Sequence, residues 1–216
     1  CLGWIVTRLA VTVKACIYLS VIQSCSGQQT PAALAALRAS APLPVAARDR
    51  APSLLIGVDP VPAARKRALE LGADLVFAPD EIPEEYGTDF GNDPVSRSGD
   101  RRPDVVLEAT GVTPGLGTAG ALVRPFGTLC IVGYHHAGDA MMDMRLWYKA
   151  VTIVNGFCPD RTRLMRAMSD ALDLIARRRF SYAPLVTHRF GLDQVDQAYE
   201  LMDARADGFV KAVLTP

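Results

Sequence analysis

The residues whose types could bind or transform a ligand fall just after the apolar runs of the chain. Asp59 ends one such run, Leu54 to Val58, and follows a Gly-Val pair. A carboxylate in that place accepts hydrogen bonds from both hydroxyls of an adenosine ribose and repels a 2′-phosphate, which favours NAD over NADP. The same Asp-Pro step can instead cap the helix that follows, and one side chain can serve both roles. Glycines that let a pyrophosphate approach the backbone belong after the first strand. If that strand is residues 17–22, then Gln23, Cys25 and Gln28 hold the three glycine positions of the G-x-G-x-x-G fingerprint, and Gly27 stands one residue off register. A literal G-x-G-x-x-G runs from Gly115 to Gly120, but its first glycine comes well after the preceding apolar run. It reads as small residues that let a helix pack closely on a sheet. His135 and His136 are adjacent, so their side chains diverge and make a poor metal pair. With Asp139 and Asp143 following, they read as a loop beside a cofactor cleft, and no metal site is assigned. His188 sits in an apolar strand pattern and reads as structural. No G-x-S-x-G is present, so α/β-hydrolase chemistry has no nucleophile.

These residues need a scaffold, and the pattern supplies one. Apolar runs at residues 17–22, 54–58, 75–78, 104–109, 128–132, 185–190 and 209–214 predict strands. Residues 31–38, 63–71, 114–123, 161–178 and 192–202 predict helices, and residues 146–154 mix a helical start with a strand-like end. Pro31 stands at the first position of one helix and Gly72 closes another. Residues 39–52 and 79–103 carry Pro, Gly and polar residues and read as loops. Alternating strands and helices imply βαβ units and a parallel, doubly wound α/β sheet. In such a sheet ligands bind outside the C-terminal ends of the strands. The positions to watch are therefore residues 23–28, Asp59, Ala78, Thr110, Gly111, Gly133 and Tyr134.

Composition narrows the class. A chain of 216 residues with 50% hydrophobic residues has ample material for a core. Its formal net charge of zero excludes nucleic acid as the main partner. The five cysteines are odd in number and widely spaced, which signals neither a disulfide framework nor a zinc knuckle and fits a cytoplasmic protein. Residues 4–22 are apolar enough to resemble a membrane span. Arg8 and Lys14 lie inside that run, and each would cost ~2.5–3.5 kcal/mol near a bilayer centre. Ile5, Thr7, Leu9, Val11 and Val13 alternate as a strand does, so no membrane role is expected.

From Leu54 onward the chain resembles the medium-chain zinc-dependent alcohol dehydrogenases, the sorbitol, threonine and alcohol dehydrogenases. The resemblance rests on Ile56-Gly57-Val58-Asp59, on RKRALELGA from Arg65 to Ala73 and on DVVLEATG from Asp104 to Gly111. It continues through LVRPFGTLCIVG from Leu122 to Gly133 and LVTHRFGLDQVDQAYELMDARADGFVK from Leu185 to Lys211. AALAALR, from Ala32 to Arg38, matches the family's first Rossmann helix more weakly.

The resemblance implies a nicotinamide cofactor and, in a complete enzyme, a small alcohol substrate. It places Asp59 on the adenosine ribose, Thr110 and Gly111 in the cofactor cleft, and Val132, Gly133 and Tyr134 beside the nicotinamide. Asn155 to Phe157 lie close by, and Lys211 reaches a cofactor phosphate. It also implies a homodimer through the Rossmann sheets, with residues 151–154 as the edge. The family's zinc-binding, GroES-like domain has no counterpart here: no G-H-E segment, no catalytic Cys/His/Glu set and no four-cysteine lobe. The expected organisation is an irregular extension over residues 1–16, a Rossmann domain over 17–180, and a tail over 181–216 that packs on the absent catalytic domain. Zinc is expected only in that absent half, and the chain is expected to be inert alone. A non-catalytic nucleotide-binding or interaction module derived from the same fold is the alternative.

Overall fold

The structure, a computed structural model, describes residues 52–87, 101–133, 135, 141–156, 160–177, 183–204 and 208–216, together with the backbone of 8–13. Six strands form one parallel sheet: β1 (Arg8–Val13), β2 (Leu54–Val58), β3 (Leu75–Phe77), β4 (Val105–Ala109), β5 (Thr128–Ile131) and β6 (Thr152–Asn155). Their order is β3-β2-β1-β4-β5-β6. This is the strand order of a dinucleotide-binding Rossmann sheet, which reverses direction between β1 and β4.

The strand sequences explain the arrangement. Leu55 to Val58 of β2 and Val105 to Glu108 of β4 are buried throughout, as parallel strands covered on both faces require. Strand β6 lies at the end of the order and is largely exposed. Helix α1 (Pro62–Glu70) starts with proline, whose missing N–H is no loss there, and Gly72 takes φ 102° just past its end. Helix α2 (Thr113–Leu122) joins β4 to β5, and α3 (Arg145–Tyr148) precedes β6. The core gathers Ile56, Val58, Val106 and Leu129 from the strands against Leu116 and Leu122 of α2. Burying each such side chain stabilises the fold by about 1.5–3 kcal/mol. Helix α4 (Arg161–Ala176) follows β6. Strands β7 (Val186–Gly191) and β8 (Lys211–Thr215), with α5 (Val195–Asp203) between them, form a separate two-stranded parallel sheet.

Two expectations need correction. Residues 8–13, expected in an irregular extension, form the central strand β1, paired in parallel with β2 and β4 (Ala10 opposite both Ile56 and Val106). The first-strand position therefore belongs to Arg8–Val13, not to residues 17–22. The register that put Gln23, Cys25 and Gln28 on the glycine positions took residues 17–22 as the first strand, and it no longer holds. Residues 14–50, with the strand and helix predicted in them, lie outside the described residues. Residues 79–87 are also not a purely solvent loop. Ile82 and Tyr86 are buried, the latter within a short 3-10 turn. The Arg101 guanidinium lies 5.6 Å from the Tyr86 ring centre and 3.1 Å from Glu85.

Candidate functional site at the C-terminal ends of the strands

Strand β2 delivers Asp59 at its C-terminal end. The Asp59 N–H donates to the Phe77 carbonyl at 3.1 Å, which ties the end of β2 to β3. Its Oδ1 accepts from the Val61 N–H at 2.8 Å, an Asx turn that leads the chain into α1. The Arg65 guanidinium turns back to the Asp59 and Pro60 carbonyls at 2.7 and 2.9 Å. The helix-entry role foreseen for Asp59 is thus met two residues before the formal cap, since Val61 has no side-chain oxygen.

Strand β4 delivers a second carboxylate, which the reading of the sequence passed over. Glu108 is wholly buried. Its Oε1 accepts from the Thr110 N–H at 2.6 Å, the Thr110 hydroxyl at 2.5 Å and the Gly111 N–H at 3.0 Å. Its Oε2 lies 3.0 Å from Nε2 of His135. A buried carboxylate is tolerable only with such a complement of donors. The available signal was an acid at the end of the apolar run Val105-Val106-Leu107.

Strand β5 brings the partner turn. The Val132 and Gly133 N–H groups both donate to the Glu108 carbonyl, at 2.7 and 2.9 Å. A Cβ on Gly133 would fall 2.3 Å from the Gly111 nitrogen and 2.8 Å from Glu108 Oε2. Gly111 itself has φ 67°, where glycine is unstrained. The ends of β4 and β5 are therefore closed on each other through two glycines and one carboxylate. The structure brings Thr110, Gly111, Val132 and Gly133 together. Tyr134 lies outside the described residues. Lys211 opens β8 in the second sheet, opposite Val186, and its described hydrogen bond is a carbonyl accepting from Thr187.

The Gly115–Gly120 motif lies entirely within α2, whereas a phosphate turn precedes its helix. Gly115 is needed for packing, because a Cβ there would strike the Thr110 side chain. His188 stacks between Phe190 and Phe209 at ring separations of 6.2 and 5.0 Å.

Beside Glu108 on β5, burial and then the Glu108 charge push the Cys130 thiol up to about 12 from its ordinary 9.0. Iodoacetamide at pH 8 is expected to leave Cys130 unmodified in the folded chain, as read by peptide mass mapping. Fast alkylation there would mean the β5 core is open. The unfolded chain loses this proton near pH 9 while the folded chain keeps it, so this group removes stability as pH rises from 9 towards 12.

Among the described residues no three His, Cys, Asp or Glu side chains gather where they could hold a metal ion. The described donor set does not fit a catalytic zinc. Nor is any described helix long and apolar enough to cross a membrane.

Strand order defines a Rossmann-type α/β protein. Comparison with known proteins gives the family. The zinc-binding dehydrogenase family matches residues 50–177, more than half of the chain, and the chain belongs to that family. The NADP-dependent isopropanol dehydrogenase of Clostridium beijerinckii is 31% identical over 51% of this chain and 32% of its own length. The zinc-type alcohol dehydrogenase B of Aspergillus flavus is 29% identical over 70% of this chain and 38% of its own length. An alcohol dehydrogenase from Thermus sp. ATN1 has the same fold, with TM-score 0.69 and 22% identity over 97% of this chain and 51% of that one. The match spans less than two fifths of each of the two curated relatives.

Proposed function

We propose that this chain is the cofactor-binding portion of an NAD-dependent alcohol or polyol dehydrogenase-like oxidoreductase. The observation that carries the reading is Asp59 at the C-terminal end of β2 in a β3-β2-β1-β4-β5-β6 sheet. A dinucleotide laid along the strand ends places its adenosine ribose at β2 and its nicotinamide over β4 and β5. Asp59 then meets the ribose hydroxyls. Thr110, Gly111, Val132 and Gly133 line the nicotinamide half, with Tyr134 and Lys211 carried over from the family resemblance alone.

The cofactor supplies the hydride chemistry, and these residues bind and orient it. Turnover of a small alcohol, and zinc with it, is proposed for the complete enzyme rather than for this platform. Two copies pair along β6, where Ile153 and the neighbouring Trp147 and Tyr148 are exposed.

One relative is named as NADP-dependent, so the preference needs a direct test. The full chain is titrated with NADH and with NADPH, reading energy transfer from Trp4 and Trp147. NADH should bind more tightly than NADPH. Asp59→Ala should weaken NADH roughly 10- to 100-fold, as loss of charge-assisted hydrogen bonds does, and narrow the gap to NADPH. Equal binding of both cofactors, unchanged by the substitution, would overturn the role of Asp59. No binding of either by the folded chain would favour a non-catalytic relic.

A further inference from the structure

One side chain at the strand ends is held in a way the Rossmann pattern does not require. Glu108 gives one oxygen to the turn of its own strand and the other to the ring of His135, which lies 27 residues further along the chain. The Glu108 carboxylate holds the ring through Nε2 and leaves Nδ1 on the far side. Nε2 faces a carboxylate with no exposure, and the His135 side chain as a whole is 16% exposed. What solvent or a ligand can reach is therefore the side of the ring away from Glu108. Among the described residues no hydrogen bond to Nδ1 occurs.

This is the arrangement by which a second group fixes an imidazole's tautomer and direction for work on a third. His135 follows β5, three strand spacings from the β2 end that carries Asp59, or about 14 Å. That separation suits the two ends of one dinucleotide.

We infer that His135 is a positioning residue for the nicotinamide end of the dinucleotide, with Nδ1 hydrogen-bonding the carboxamide while Glu108 fixes the ring. The inference rests on the cofactor reading above and adds to it a side chain that tells the nicotinamide end from a cofactor lacking it. The carboxamide is the hydrogen-bonding group that distinguishes NADH from ADP-ribose at that end.

The test compares NADH with ADP-ribose on the full chain, by calorimetry. Wild type should prefer NADH. His135→Gln preserves an N–H for Glu108 and removes the ring nitrogen, while His135→Ala removes both. Both variants should lose roughly 10-fold in NADH affinity with ADP-ribose affinity unchanged, the size of one hydrogen bond. Equal weakening of both ligands, or of neither, would make His135 purely structural and overturn the inference. Wild-type binding of ADP-ribose with no preference for NADH would overturn it too, while leaving the adenosine half of the cofactor reading intact. Failure of wild type to bind either ligand would remove the cofactor reading and the inference together. Circular dichroism on each variant separates a folding failure from these outcomes. If His135→Ala does not fold, His135→Gln alone decides.

Discussion

Replacing Glu108 with leucine is expected to destabilise the chain by about 3–5 kcal/mol, because at least two buried backbone donors each lose their acceptor at about 1–3 kcal/mol. The leucine would fill most of the same space. The Thr110 and Gly111 N–H groups and His135 Nε2 would lose their acceptor where no water replaces it. At roughly 2–4 °C per kcal/mol for a chain of this size, the melting temperature should fall by at least about 6 °C. Glu108→Gln keeps an acceptor oxygen for the two backbone donors and should lose less than half as much. Thermal melts followed by circular dichroism give both values. Equal losses in the two variants would show that charge, rather than hydrogen bonding, ties β4 to β5. No loss in the leucine variant would show that the donors find other partners.

Lys149→Met is expected to cost ~3 kcal/mol through a different part of the fold. Lys149 is 1% exposed, a rare state for an ammonium group. Its Nζ donates to the carbonyls of Gly120, Ala121 and Val123 at 3.0, 2.9 and 2.9 Å. These are carbonyls at the C-terminal end of α2 that no helical N–H can satisfy. The cation also sits at the negative end of that helix's dipole. Methionine has a similar length and no donor, so the loss reads the hydrogen bonds rather than a cavity. Urea unfolding should show a lower midpoint with an unchanged slope. A midpoint equal to wild type would mean that water caps α2 once the lysine is gone.

The two predictions mark where the sequence stops being sufficient. Between Leu54 and Thr215 the strands and helices were legible to within two residues at most ends, because local chemistry sets them. Pro62 and Gly72 punctuate α1, Val105-Val106-Leu107 makes a buried strand, and Gly133 stops the run after Val132. Residues 146–154 showed both of their halves, which became α3 and β6. The place of Asp59 was legible for the same reason: it depends only on the end of β2 and the start of α1.

What the sequence did not decide was pairing across distance. The first strand was read at residues 17–22 and residues 1–16 as an irregular extension, although Ile5 to Val13 alternate as a strand does. Simultaneous register with β2 and β4 assigned Arg8–Val13 to the centre, and periodicity carries no information about those partners. Glu108 looked like one acid at the end of an apolar run. Its meaning came from His135 and from the close approach of Gly133 to Gly111. Lys149 lies between α3 and β6 with no local signal of burial in the sequence. Only the fold carries it to the end of a helix 26 to 29 residues earlier in the chain. Local steric and hydrogen-bonding preferences determined the elements and Asp59. Burial, which creates the need to satisfy a charge with distant partners, decided the central strand and the roles of Glu108, His135 and Lys149.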